Sequence, residues 1–244
     1  MADNYRNMYG AGPVAGTLDQ ATIDVGLRKH MLSVYNYMAS GLVLSGIVAL
    51  AVFGTSFGDI FYQRLGSRIV GINVLGWVAI FAPLGLLLLA SFNIRRMSAA
   101  TMQGFYWSFV ALQGVGLALL LSVYTGESVV RVFFITAASF AGLSLYGYTT
   151  KRSLSAIGSF LIMGLFGLII ASVVNMFVAS SGMAFVISIA GVLIFAGLIA
   201  YDTQRIKEQY VASWDSGTQS KAAVWSALSL YLDFINLLDR KSVV

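Results

Sequence analysis

Ile157–Val178 reads IGSFLIMGLFGLIIASVVNMFV and contains no charged residue. A helix that crosses a bilayer needs about 20 mainly apolar residues. In hydrocarbon, only a helix or a closed barrel satisfies its own backbone hydrogen bonds. This stretch is therefore read as a membrane-spanning helix. Six further stretches follow the same reading: Val34–Phe53, Val70–Phe92, Phe105–Tyr124, Val129–Thr149, Met183–Tyr201 and Ala222–Leu238. The breaks between them are short, and Ala179–Gly182, ASSG, is barely a turn. The expectation is one compact bundle: an all-α integral membrane protein with seven transmembrane helices, occupying residues 33–244.

Composition agrees. Of 244 residues, 58% are hydrophobic and 10% charged, against about 25% charged in soluble domains. The 25 glycines fit helices that approach closely in lipid. With no cysteine there is no disulfide, thiolate nucleophile or iron–sulfur cluster. The net charge of +5 does not point to nucleic acid, because no basic face is long enough to follow a phosphate backbone. Residues 1–32 mix charges with Gly and Pro and are read as a mobile cytoplasmic segment. It ends in a short amphipathic piece from about Leu18 to His30.

Ten of the 15 Lys and Arg fall on the N-terminal side of these spans and the other five opposite. The positive-inside bias puts the N-terminus in the cytoplasm and, with seven spans, the C-terminus outside.

The sequence holds no catalytic constellation. Its one histidine, His30, is read as solvated beside the first span, and it cannot make a zinc site with no cysteine and no acid cluster. Asn36, Asn73, Gln113, Asn175 and Asn236 are read mostly as interhelical hydrogen bonds. Glu127 and Arg131 stand four apart at the outer start of the fourth span, as a helical ion pair or as part of an outer cation vestibule.

Two acids stand out. Asp202 ends the apolar run of IFAGLIAYDTQRIKEQY (Ile194–Tyr210), and Asp233 is embedded in LSLYLDFINLL (Leu228–Leu238). A carboxylate at mid-bilayer costs about 2.5–3.5 kcal/mol on insertion scales. Both positions fall in the cytoplasmic halves of consecutive spans. Two carboxyls in a dry site cannot both ionise cheaply, so they share a proton and titrate as a pair. Carboxylate oxygens also suit a hard cation such as Ca²⁺. A proton-held latch in a cation path is the natural use of such a pair. Arg95 and Arg96, at the same face after the second span, are a competing partner for the acids, or simply topological charges.

The chain resembles a bacterial member of the Bax-inhibitor family, the transmembrane Bax inhibitor motif proteins. The resemblance is carried by LRKHMLSVYNYMASGL (Leu27–Leu42), FFITAASFAGLSLYGYTTKRSLS (Phe133–Ser155), AYDTQRIK (Ala200–Lys207) and LSLYLDFINLL (Leu228–Leu238). It implies a central helix surrounded by the others and a pH-sensitive calcium leak with no cofactor and no enzymatic activity. Ca²⁺ is then the permeant or transiently bound ion. It also implies that Asp202 and Asp233 form the proton-dependent gate. An arginine after the second helix would take part in the closed state; Arg96 matches best, and Arg95 also fits. The implied location is a bacterial inner membrane, with lipid as neighbour. The chain departs from the family pattern after LDFINLL, where it turns polar at Asp239.

Two other readings compete. An intramembrane aspartyl protease would pair Tyr201-Asp202 with a GxGD motif, but Leu230-Tyr231-Leu232 precedes Asp233. A regulator would bind a membrane-protein partner, such as a quality-control protease or a stress- or death-pathway protein, through the N-terminal segment.

Overall fold

The computed structural model describes residues 20–65, 68–93, 96–123 and 126–243. Seven helices follow in chain order: α1 (Gln20–Gly54), α2 (Val74–Asn93), α3 (Ala99–Val123), α4 (Gly126–Thr149), α5 (Ser155–Val178), α6 (Ser181–Gln209) and α7 (Ser216–Val243). Among the described residues, six stretches are long and apolar enough to cross a membrane; they lie in α1, α2, α4, α5, α6 and α7. Large apolar side chains such as Phe92, Phe160 and Phe177 point outward from the bundle. Outward apolar side chains along helices of this length need lipid around them. The chain is an integral membrane protein.

α7 is the most buried of the six candidate spans and packs against α1, α3, α4 and α6. α2 rests on α3, and α5 on α6. The interior is lined by large side chains, with Tyr106, Phe109, Leu230, Tyr231 and Phe234 essentially inaccessible.

Several boundaries differ from the sequence reading. α1 runs without a break from Gln20 to Gly54, so the amphipathic piece and the first span form one helix. Residues 1–19 of the expected mobile segment lie outside the described residues. The second helix starts at Val74 rather than Val70, because Val70 belongs to a hairpin strand. α7 does not stop near Leu238; it continues through Asp239 and Arg240.

The hairpin was not anticipated. β1 (Tyr62–Leu65) pairs antiparallel with β2 (Arg68–Ile72), with Tyr62 opposite Ile72 and a bulge at Gln63/Arg64. A 3₁₀ turn, Ser56–Ile60, leads into it from α1. The Tyr62 ring is buried and its hydroxyl donates to the Val115 carbonyl of α3 at 2.7 Å. Burial pushes the phenol up to about 12. Arg64 folds back over Gly58, donates to the Val52 carbonyl and pairs with Asp59 at 3.2 Å. These contacts tie the hairpin across one end of the bundle.

Gly147 of α4 lies against the backbone of Ala200 in α6, and Gly158 of α5 lies under the Tyr201 ring. A side chain at either position would collide with its neighbour. Gly164 approaches Ile194, whereas Gly167 faces open space. The ASSG turn is built locally. Ala179 takes a left-handed conformation (φ 52°), Asn175 Oδ1 accepts from the Ser180 amide at 3.1 Å, and Ser180 Oγ accepts from Met183 N at 3.2 Å.

The asparagines mostly do not bridge helices. Asn175 serves its own cap, Asn236 donates to Leu232 of its own helix at 2.8 Å, and Asn73 donates to the Asp59 carbonyl in the turn before the hairpin at 2.9 Å. Short side chains on rigid helices reach their own turn before they reach a neighbour. The crossings are made instead by hydroxyls and by glutamines on closely packed faces.

Candidate functional site

Asp202 lies on α6 and Asp233 on α7, and the packing of these consecutive helices sets the two acids beside each other. Asp233 is 7% exposed, while Asp202 is half-buried and keeps access to one side. Oδ2 of Asp233 is buried and meets no donor among the described residues. An oxygen so placed carries a desolvation cost unless a proton or a cation is supplied. With a second carboxyl alongside, the simplest supply is one proton held between the two acids.

Polar crossings around the pair fix both helices. On α6, Thr203 follows Asp202 directly. Its hydroxyl donates to the Ile199 carbonyl at 2.7 Å and lies 3.0 Å from Ser144 Oγ of α4. Ser144 Oγ in turn lies 2.6 Å from the Tyr35 hydroxyl of α1. One helical turn therefore ties α6 to two neighbours. Gln204, 4% exposed, accepts from the Leu154 amide at 2.7 Å and donates to the Arg152 carbonyl at 2.8 Å. Lys207 donates to the Tyr148 carbonyl at 2.7 Å and sits 5.5 Å from that ring's centre. The motif AYDTQRIK thus spends Gln204 and Lys207 on clamping the α4–α5 connection.

On α7, Tyr231 precedes Asp233 by two residues. Its hydroxyl lies 2.6 Å from Ser45 Oγ. Ser45 spends its single hydrogen on the carbonyls of Gly41 and Val110, at 2.9 and 2.8 Å, so Tyr231 is the donor to Ser45. The start of α7 is capped by Asp215, whose carboxylate accepts from the Gly217 and Thr218 amides at 2.9 and 3.0 Å and from the Thr218 hydroxyl at 2.6 Å. The Thr218 hydroxyl first, then the backbone amides, hold the Asp215 carboxyl below the usual carboxylate range.

Other expected site residues are placed apart from the pair. Arg96 is exposed after α2 and makes no ion pair among the described residues; its amide donates to the Asn93 carbonyl at 2.8 Å. Arg95 lies outside the described residues. Glu127 and Arg131 form an exposed helical pair at 2.9 Å at the start of α4. His30 is buried rather than solvated, with its ring 5.4 Å from that of Tyr210. The described residues hold no cluster of three or more His, Cys, Asp or Glu that suits a metal ion.

The family described as "Inhibitor of apoptosis-promoting Bax1" matches residues 27–240, which takes in every helix that bears on the pair. The chain belongs to the Bax-inhibitor family. Bacterial relatives agree along nearly their whole length. An uncharacterized protein of Caulobacter vibrioides is 48% identical over 220 residues, covering 89% of this chain and 88% of the relative. A Rickettsia prowazekii protein, RP147, is 42% identical, covering 91% and 90%. The inner membrane protein YbhL of Escherichia coli is 36% identical over 214 residues, covering 87% and 88%. Within this Bax-inhibitor chain the pair sets a buried carboxyl oxygen without a donor among the described residues, Asp233 Oδ2, beside a second acid.

Proposed function

We propose that this Bax-inhibitor protein is a pH-sensitive leak for cations, Ca²⁺ foremost, in a bacterial inner membrane, and that Asp202 and Asp233 are its gate. The observation that carries this reading is the buried Asp233 Oδ2, which has a second carboxyl as neighbour and no donor among the described residues. While one proton is shared, the acids hold α6 to α7. When pH rises and the proton leaves, two adjacent negative charges repel in a poorly solvated site and the helices part. The ionised pair then attracts a divalent cation. Ca²⁺ takes six to eight oxygen ligands. Two carboxyls supply only some of these, so the ion keeps much of its water and passes on rather than staying as a resident metal.

In this reading all seven helices cross, α3 included, with α7 at the centre. The N-terminus is cytoplasmic and α7 ends outside, in keeping with the distribution of Lys and Arg. The test is Ca²⁺ uptake into proteoliposomes as a function of pH, for the parent and for D202N and D233N. The parent flux should rise with pH. Each variant, unable to build the charge pair, should lose most of that rise. Superimposable pH profiles for parent and variants would exclude the pair as the gate.

A further inference from the structure

Among the described residues, four buried side-chain polar atoms have no hydrogen-bond partner: Arg64 Nε, Thr136 Oγ1, Asp233 Oδ2 and Arg240 Nε. Arg64 Nε faces the Asp59 carboxylate at 3.2 Å, so its charge is answered. The other three lie on α4 and α7.

Their positions align. Arg240 follows Asp233 by seven residues, two helical turns, so it projects from the same face of α7 at about 10 Å along the axis. Gly191 precedes Asp202 by eleven residues, three turns, and so shares the face of α6 that carries that acid. A Cβ on Gly191 would come 3.0 Å from both Cγ and Cδ of Arg240. The arginine stem therefore lies flat on α6 at a place where glycine leaves room. Thr136 is fully buried on α4. The Phe234 ring of α7 packs against Phe133 and Phe140, at 5.7 and 5.8 Å, one turn to either side of Thr136, which puts the threonine at the α4–α7 contact. Buried polar atoms without protein partners are sites that water or a passing ion satisfies. The seam between α4, α6 and α7 thus carries the aspartate pair, then Thr136, then a guanidinium toward the end where α7 finishes.

We infer that Arg240 is the outer electrostatic barrier of the pathway gated by Asp202 and Asp233, slowing cations by like-charge repulsion where its stem lies against Gly191. This rests on the leak reading above and adds a second control point to it. Arg240 is half-buried, and a fixed positive charge beside a pathway acts more strongly on a divalent than on a monovalent cation. Asp239, one residue earlier, lies within electrostatic reach and softens the barrier without sharing its face of the helix. Arg240 therefore sets the height of the leak and the divalent-to-monovalent ratio, while the aspartates set the pH at which it opens.

The experiment is Ca²⁺ and K⁺ flux against pH in proteoliposomes of the full chain, comparing parent, R240Q, R240K and D233N. R240Q should raise Ca²⁺ flux several-fold at every pH, raise K⁺ flux less, and leave the pH midpoint in place. R240K keeps the charge and should return flux to the parental level, which separates charge from packing. Equal Ca²⁺ flux in R240Q and parent, with D233N still altering the pH profile, overturns the barrier and spares the gate. A rise in R240Q that R240K shares also overturns it, because the cause is then lost packing. Absence of flux in every variant, R240Q included, overturns the leak reading and the barrier together.

Discussion

At the scale of single residues, the site depends on how closely α4 and α6 approach. Gly147 is where the α4 backbone meets the Ala200 carbonyl, and a methyl group there has nowhere to go. G147A should destabilise the protein by about 1–3 kcal/mol, the usual cost of overpacking a tight contact. Thermal unfolding in detergent measures this, and a parental midpoint would contradict the contact. Asp202 and Asp233 were legible as a pair from the sequence alone, because a carboxylate in an apolar run carries a cost that calls for a partner. Arg240 was not. On paper it marks the polar end of a short last span, and only the extension of α7 to Val243 puts its stem against Gly191. His30 was misread for a similar reason. Its burial comes from Tyr210, far along the chain, whose ring also closes over Gly26.

At the scale of elements, α7 is held at its start by Asp215 and in its middle by Tyr231 and Asp233. The Asp215 cap has a definite pH signature. Its carboxyl titrates below the usual range in the folded protein. The stabilisation is therefore fully present above the ordinary carboxylate value of about 3.9 and is lost as pH falls through the lowered folded value. D215A should lower the detergent melting temperature at neutral pH, and the difference from the parent should close at strongly acidic pH. A constant difference across that range would assign the effect to something other than the charged cap. The hairpin between α1 and α2 escaped the sequence reading because Ile69, Val70 and Ile72 run into the apolar start of α2. A short strand and a helix end cannot be told apart by hydropathy there. What decides it is tertiary: Tyr62 reaching Val115, and Arg64 returning to Val52 and Asp59.

At the scale of the whole molecule, the proposed topology has an odd number of crossings, and α3 is the helix on which the parity turns. The chain has no cysteine, so single-cysteine reporters are unambiguous. Cysteines placed at Ser98, before α3, and Ser128, at the start of α4, should label from opposite sides of the membrane with an impermeant thiol reagent; S98C should react from the cytoplasm. Labelling of both from one side would remove α3 from the set of crossings. The membrane class and helix sequence were determined by the amino-acid sequence, because the cost of exposing peptide groups to lipid leaves an apolar run of this length little choice but a helix. The two candidate acids were likewise set by local composition. Which helices touch, where they touch, and what each polar side chain finds there belonged to the tertiary structure. Hydropathy is nearly uniform around these helices, so it does not mark which face meets a neighbour. The neighbours of Asp233, Thr136 and Arg240 follow from backbone approach at Gly147, from the Arg240 stem lying on Gly191 and from aromatic packing around Phe234, which exist only once the helices have assembled.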